Sequence, residues 1–220
     1  MRGVIFDFDG LLMDTESTNV ASWEREWQRW GLVLDHEAFF VPHGGDVTEQ
    51  RYDVLAAAVG DSFDRELSRG RRTRDRDQLN AALILAPGLQ RWLDQAAGMG
   101  LRLAIASSSP VSWVKDHLQK VDAVDRFEVI VGGDQAAAHK PAPDVYRLAL
   151  SHLEVNGSQA VAVEDTAHGV AAAHAAGLAC IAIPNRFIDR LAVANAELVL
   201  DSAADVSLTA ALRQVGEARQ

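Results

Sequence analysis

The sequence predicts an α/β protein: a doubly wound parallel sheet interrupted by an inserted α-helical domain. Three observations carry this. Short, almost continuous apolar runs recur along the chain, as strands buried on both faces require. Helical patterns separate them, which is the alternation of a parallel sheet with right-handed crossovers. One stretch, from about Thr15 to Leu83, breaks the alternation and contains helical patterns only.

The first strand is read at Gly3–Phe6. The next stretch holds Trp23, Trp27 and Trp30 at i, i+4 and i+7, so one apolar stripe of a packed helix is expected there rather than an aromatic ligand site. Its one dense charge cluster, Arg69–Asp77, interleaves arginine with aspartate; Arg71 and Asp75 stand at i, i+4, which predicts a solvated helix face. Alternation then resumes. Leu89, Trp92, Leu93 and Ala96 mark a helix over Pro87–Ala97 closed by Gly98 and Gly100. Strands follow at Leu101–Ala106, Phe127–Val131, Ala160–Val163 and Cys180–Ile183, with a weaker sixth at Glu197–Leu200. Helices are expected over Asp144–Leu153 and over the Ala-rich Gly169–Ala176, closed by Gly177. The domain division is accordingly 1–14 and 84–220 for the α/β part and 15–83 for the helical insert.

Bulk properties narrow the function. A formal net charge of -10 argues against nucleic acid or an anionic membrane as the main partner. No apolar run approaches the roughly 20 residues that span a bilayer, and no secretory pattern precedes Val4, so a cytoplasmic protein is expected. The single cysteine, Cys180, lies in an apolar run and reads as a small buried hydrophobe. Asn156-Gly-Ser158 then reads as a turn.

The chemistry concentrates at strand ends. Asp7 and Asp9 follow the first strand; residues i and i+2 of a strand share a face, so both should leave its carboxyl end into one crevice, where open α/β sheets bind ligands. On the pair alone, a turn at Asp9-Gly10 with Asp7 as a cap is an equal reading. Three other strand ends decide between them. Ser107, Ser108 and Ser109 precede Pro110 at a helix start, which offers hydroxyls and backbone N–H groups to an anion. Lys140 precedes another helix, in a chain whose only other lysines are Lys115 and Lys120. Glu164 and Asp165 close a fourth strand. Four acids against one lysine leave a negative excess, which a hard divalent cation such as Mg²⁺ resolves, and the cation lets a phosphate dianion approach.

FDFDGLLMDTES, IASSSP, HKPAPDVY and VEDTAHGVAAAHAAG together resemble the four ordered motifs of the haloacid dehalogenase-like hydrolases, closest to the phosphatase and beta-phosphoglucomutase branch. That resemblance implies a Rossmann-like core with a helical cap that closes over the site. It implies Asp7 as the nucleophile that becomes an aspartyl-phosphate, and Asp9 as proton donor and then acceptor. Gly10, Ser107, Ser108, Ser109 and Lys140 would surround the phosphoryl group. Asp7, the main-chain carbonyl of Asp9, and Asp165 would hold Mg²⁺, with Glu164 a ligand directly or through water. Asp9 also argues against dehalogenation, since dehalogenases of the family lack that second acid.

The expected activity is Mg²⁺-dependent hydrolysis of a small phosphorylated metabolite; the alternative is a sugar phosphomutase. Asn19 stands where the mutase has a histidine, and His43-Gly-Gly-Asp-Val-Thr48 shows no arginine where the mutase grips a second phosphate, although Arg51 lies a helical turn away. A catalytically silent binding module is the third reading. Asp14 and Thr15 are expected to cap the first helix of the insert. His139, His168 and His174 carry no metal-ligand spacing. Substrate identity and oligomeric state are not encoded legibly.

Overall fold

A computed structural model describes residues 1–40 and 47–218. It divides into two compact units, residues 1–14 with 83–220, and residues 15–82.

The first unit holds six parallel strands: β1 (Gly3–Phe6), β2 (Arg102–Ala106), β3 (Val129–Val131), β4 (Ala160–Glu164), β5 (Ala179–Ala182) and β6 (Leu198–Val199). Their order is β3-β2-β1-β4-β5-β6, the doubly wound order in which the winding reverses between β1 and β4. In register, Val4 pairs with Leu103 on one side and Val161 on the other. Every residue of β1, β4 and β5 is buried, which explains why these strands read as unbroken apolar runs. Alternate residues feed opposite layers. Val4 and Phe6 pack with Trp92, Ile105 and Val163, whereas Ile5 packs with Ala104, Tyr146, Ala162 and Cys180. Helices α5 (Leu89–Gly98), α6 (Val111–Gln119), α7 (Asp144–His152), α8 (Ala167–Ala175) and α9 (Leu208–Ala218) complete this unit. Asn156 precedes a short 3-10 turn, Gly157–Gln159, as its local sequence predicts.

The second unit is helical: α1 (Thr15–Arg29), α2 (His36–Phe39), α3 (Thr48–Val59) and α4 (Arg65–Asn80). Thr15 is the first residue of α1, directly after Asp14. The tryptophan stripe is core: Trp23 is fully buried and lies 4.7 Å from the Tyr52 ring and 5.1 Å from Phe39. Of the stretch that lacks the mutase's second-phosphate arginine, residues 43–46 lie outside the described residues.

The charge cluster on α4 is only in part the solvated face its sequence predicts: Arg69, Arg74 and Asp77 are exposed, but its other side is not. Arg72 and Asp75 are buried, and Arg71 turns away from Asp75 to the fully buried Glu26 of α1. The Glu26 carboxylate accepts from Arg71 at 2.7 Å, Trp30 Nε1 at 2.8 Å and Ser68 Oγ at 2.5 Å. Asp75 instead takes a two-pronged contact from Arg29, with Nη2 donating at 2.9 Å. The physical reason is that Ser68, Arg71 or Arg72, and Asp75 recur at helical spacing on the face packed against α1, and α1 presents Glu26 and Arg29 there. Two polar stripes therefore meet.

Hydrogen bonding from Arg29, opposed by burial and assisted by its charge, lowers the Asp75 pKa below its ordinary 3.8. A carboxylate with a lowered folded-state pKa stabilises the fold above its unfolded pKa and loses that contribution as pH falls through the lowered value. Asp75→Asn is therefore expected to cost about 1 kcal/mol at pH 7, or about 2–4 °C in melting temperature. The difference from wild type should shrink as pH falls through the lowered Asp75 pKa and vanish below it. Thermal melts of both proteins across pH 2–8 check this.

Candidate active site

The carboxyl ends of β1, β2 and β4 place the site. Beyond Phe6 the Asp7 N–H still donates to the Val163 carbonyl at 2.9 Å, so Asp7 leaves the sheet beside β4. The chain then tightens: Leu12 N donates to Phe8 O and Gly10 N to Met13 O, both at 2.9 Å. Gly10 has φ +80°, and a Cβ there would stand 2.3 Å from an Asp165 carboxylate oxygen. Only glycine suits that position.

Three acids meet at this point. Asp7, Glu164 and Asp165 are buried, and one carboxylate oxygen from each lies within 4.8 Å of the others. Lys140 stands against them with its side chain 6% exposed, its Nζ donating to Asp7 Oδ1 at 2.5 Å and Glu164 Oε1 at 2.6 Å. Tyr146, fully buried on α7, donates its hydroxyl to the same Glu164 oxygen at 2.7 Å. The other Glu164 oxygen accepts from the Asp165 N–H at 3.1 Å. A Cβ at Gly169 would fall 1.9 Å from the Glu164 carboxyl carbon, so the start of α8 is cut back to admit this side chain. Asn185, just past β5, donates to Asp165 Oδ2 at 2.7 Å.

One ammonium cannot balance three buried carboxylates. Burial, reinforced by Glu164 and Asp9, pushes the Asp7 pKa up to about 8 in spite of Lys140. Burial likewise drives Asp165 well above the usual carboxylate range, with Asp7 and Glu164 adding to it and Asn185 opposing. The Lys140 pKa is raised as well: burial disfavours its charge, but Asp7 and Glu164 more than compensate and hold it cationic. Burial and the neighbouring Glu164 charge keep Tyr146 neutral. The site is a lysine-bearing cup with surplus negative charge, made wholly of hard oxygen donors. This donor set fits Mg²⁺.

Asp9 has its own set of hydrogen-bond partners. The sequence places both aspartates on one strand face, but β1 ends at Phe6, and the two carboxylates have separate partners. Asp9 Oδ2 accepts from Ser109 Oγ at 2.6 Å and from Ser107 Oγ at 3.4 Å, and Asp9 Oδ1 accepts from Trp113 Nε1 at 3.0 Å. The carboxylate of Asp9 is not in the three-acid cluster. Ser107 is buried, and its Oγ also accepts from the Ser109 N–H at 3.0 Å; Ser108 is exposed. The expected anion site at the start of α6 is partly taken, because Asp134 accepts from the Val111 N–H at 3.0 Å. His139 is exposed beside Gly133, and His168 is exposed on α8. His174 pairs with Glu197 at 3.1 Å.

The family profile described as haloacid dehalogenase-like hydrolase matches residues 4–183. The chain belongs to that family. This haloacid dehalogenase-like hydrolase is 31% identical over 209 residues to the "Putative phosphatase YhcW" of Bacillus subtilis (strain 168), covering 94% of each chain. It is 30% identical over 183 residues to the phosphorylated carbohydrates phosphatase of Thermotoga maritima, covering 81% of this chain and 82% of that one. In structure it resembles a protein from Thermotoga maritima described as a putative beta-phosphoglucomutase, with a TM-score of 0.83 and 27% identity over 98% of this chain and 100% of that one. These likenesses place this hydrolase in the phosphatase and mutase branch, among enzymes acting on phosphoric monoester bonds.

Trp113, Tyr146, Asn185 and Gly169 belong to the site without having been singled out by sequence reasoning. Asn185 carried the one usable signal, a polar residue just beyond a strand's carboxyl end. Among the described residues, no helix is long and apolar enough to cross a membrane.

Proposed function

We propose that this enzyme is a Mg²⁺-dependent phosphatase that hydrolyses a small phosphorylated metabolite in the cytoplasm through an aspartyl-phosphate on Asp7. The observation that supports this most is the lysine-bridged cluster of Asp7, Glu164 and Asp165. It combines a nucleophile, a charge-neutralising ammonium and a set of oxygens suited to a hard cation.

Asp7 and Asp165, with the main-chain carbonyl of Asp9, would hold Mg²⁺, and Glu164 would join them directly or through water. The bound ion supplies positive charge that lets a phosphate dianion enter an acidic cup. Asp7 uses the oxygen that does not accept from Lys140 to attack phosphorus. The ester P–O bond breaks, and the departing oxygen takes a proton from Asp9. Lys140 has one N–H beyond those given to Asp7 and Glu164, and it serves a phosphoryl oxygen. The Ser107 hydroxyl and the neighbouring backbone N–H groups, with Gly10, Ser108 and Ser109 around them, hold the other oxygens. A water then gives its proton to Asp9 and attacks the aspartyl-phosphate, which returns Asp7 as a carboxylate and releases inorganic phosphate. The work is positioning and charge stabilisation, as phosphoryl transfer generally requires.

Hydrolysis is favoured over phosphomutase chemistry by Asn19. Its carboxamide oxygen accepts from Arg72 Nη2 at 2.6 Å, and an amide cannot carry the proton that a histidine would.

The test is release of phosphate from p-nitrophenyl phosphate and a panel of metabolite phosphate esters. Turnover should need added Mg²⁺, stop with chelator, and fall at least about 100-fold in Asp165→Asn. Full activity in chelator would remove the metal from the proposal. A requirement for a bisphosphate, with an isomeric phosphate as product, would replace the phosphatase by a mutase.

A further inference from the structure

The grip on Asp9 includes a residue that no motif accounts for. Two of its donors, Ser107 and Ser109, come from the serine loop, but the third is an indole N–H from α6, Trp113 Nε1 at 3.0 Å from Asp9 Oδ1. That indole is itself held. His117, one helical turn on, packs against it with ring centroids 4.1 Å apart. The His117 Nδ1 lies 2.8 Å from the Trp113 carbonyl oxygen, an acceptor, so Nδ1 is the donor. On its far side His117 meets Phe8 edge-on at 6.0 Å. The packing therefore forms a closed circuit: Phe8 adjoins Asp9 in the chain, supports His117, which supports Trp113, whose N–H returns to the Asp9 carboxylate.

His117 is 4% exposed, and its Nε2 is buried with no hydrogen-bond partner among the described residues. A leucine would fill such a place without leaving a polar atom unpaired. What the imidazole adds is the flat ring against the indole and the bond to the Trp113 carbonyl. Both fix the direction of the indole N–H.

We infer that Trp113 is a positioning residue for Asp9: its N–H, braced by His117, holds the carboxylate in the one orientation from which a proton passes to the departing oxygen. The inference rests on the proton-carrying role given to Asp9 above. A general acid contributes about 10²–10⁴-fold only when its proton is aimed at the reacting atom, and small misplacements forfeit much of that.

Leaving-group dependence isolates this role. p-Nitrophenyl phosphate has a leaving group acidic enough to depart with little help, whereas benzyl phosphate, close to it in shape, releases an alkoxide that needs the proton. The measurement is kcat/KM for both esters with Mg²⁺, in wild type, Asp9→Asn, Trp113→Phe and His117→Leu. Phenylalanine keeps a ring against His117 and removes the donor; His117→Leu keeps the indole N–H and removes its brace. Asp9→Asn should lose far more on benzyl than on p-nitrophenyl phosphate. Trp113→Phe should lose about ten-fold on benzyl phosphate through kcat, with KM unchanged, and less than about two-fold on p-nitrophenyl phosphate. His117→Leu should show the same bias, and it carries the test if Trp113→Phe does not fold.

Equal losses on both esters, or none, in the Trp113 and His117 variants overturn the positioning role. If Asp9→Asn keeps its bias in that case, the role of Asp9 survives. A loss in Asp9→Asn that ignores the leaving group, or a wild type that turns over neither ester, overturns the reading of Asp9 and the inference together.

Discussion

Asp7→Asn is expected to abolish turnover, by about 10,000-fold or more, and to leave a folded protein. In the proposed mechanism Asp7 is the nucleophile and an amide cannot attack phosphorus, so the expected loss is the full cost of a missing nucleophile. Folding should not suffer. Burial raises the Asp7 pKa from 3.8 to about 8, so between those values the folded chain holds a proton that the unfolded chain releases. Without metal, Asp7 therefore lowers stability as pH rises through that window. In chelator at pH 8, Asp7→Asn should melt no lower than wild type, and its melting temperature should depend less on pH. Steady-state assays paired with thermal melts in chelator separate the two effects. A variant that keeps even a hundredth of wild-type activity in clean protein contradicts the assignment of the nucleophile.

Lys140→Met is expected to damage both activity and stability. Lys140 is the cation that the described structure sets against Asp7 and Glu164, and with its side chain 6% exposed solvent contributes little in its place. Removing one partner from a buried ion cluster costs about 3–5 kcal/mol, because the remaining charges stay buried without compensation. In chelator at pH 8 the melting temperature should fall by about 10 °C. Added Mg²⁺ should restore part of that stability by supplying charge to the same carboxylates. Activity with saturating Mg²⁺ should still be down about 100–1,000-fold, since the lost N–H is the one proposed to serve a phosphoryl oxygen whose charge grows in the transition state. Lys140→Arg should not rescue it, because a planar guanidinium does not fit where one compact ammonium contacts two carboxylates and a phosphoryl oxygen. Melting curves with and without Mg²⁺, alongside kcat, check each part.

The sheet was readable for a definite reason. Strands buried on both faces must be apolar at every position, so β1, β4 and β5 stand out without any periodicity to decode, and their ends fall within a residue or two of the expected ones. The acids, serines and lysine were readable because a polar residue directly after such a run has few structural explanations. What escaped depends on distant partners. The i, i+4 rule sees Arg71 beside Asp75, but α1 supplies Glu26 and Arg29 as better partners, and local spacing carries no trace of them. Trp113 and Tyr146 look like ordinary members of apolar helix faces. Only the fold shows that the polar atom of each ring reaches a carboxylate from a different strand end. The different hydrogen-bond partners of Asp7 and Asp9 were hidden likewise, since the period-two rule holds only while the strand lasts, and β1 stops at Phe6.

The most direct measurement of the central claim is a single turnover in H₂¹⁸O with enzyme in excess over p-nitrophenyl phosphate, followed by mass analysis of the phosphate and of the peptide containing Asp7. If Asp7 forms the phosphoenzyme and water attacks its phosphorus, the released phosphate carries one ¹⁸O while the Asp7 carboxylate keeps its ¹⁶O. Rapid acid quenching should then trap phosphate on that same peptide and on no other. Phosphate that gains ¹⁸O with no trapped phosphopeptide at any time, in protein whose Asp7→Asn variant remains active, would mean that water attacks the substrate directly and that Asp7 is not the nucleophile.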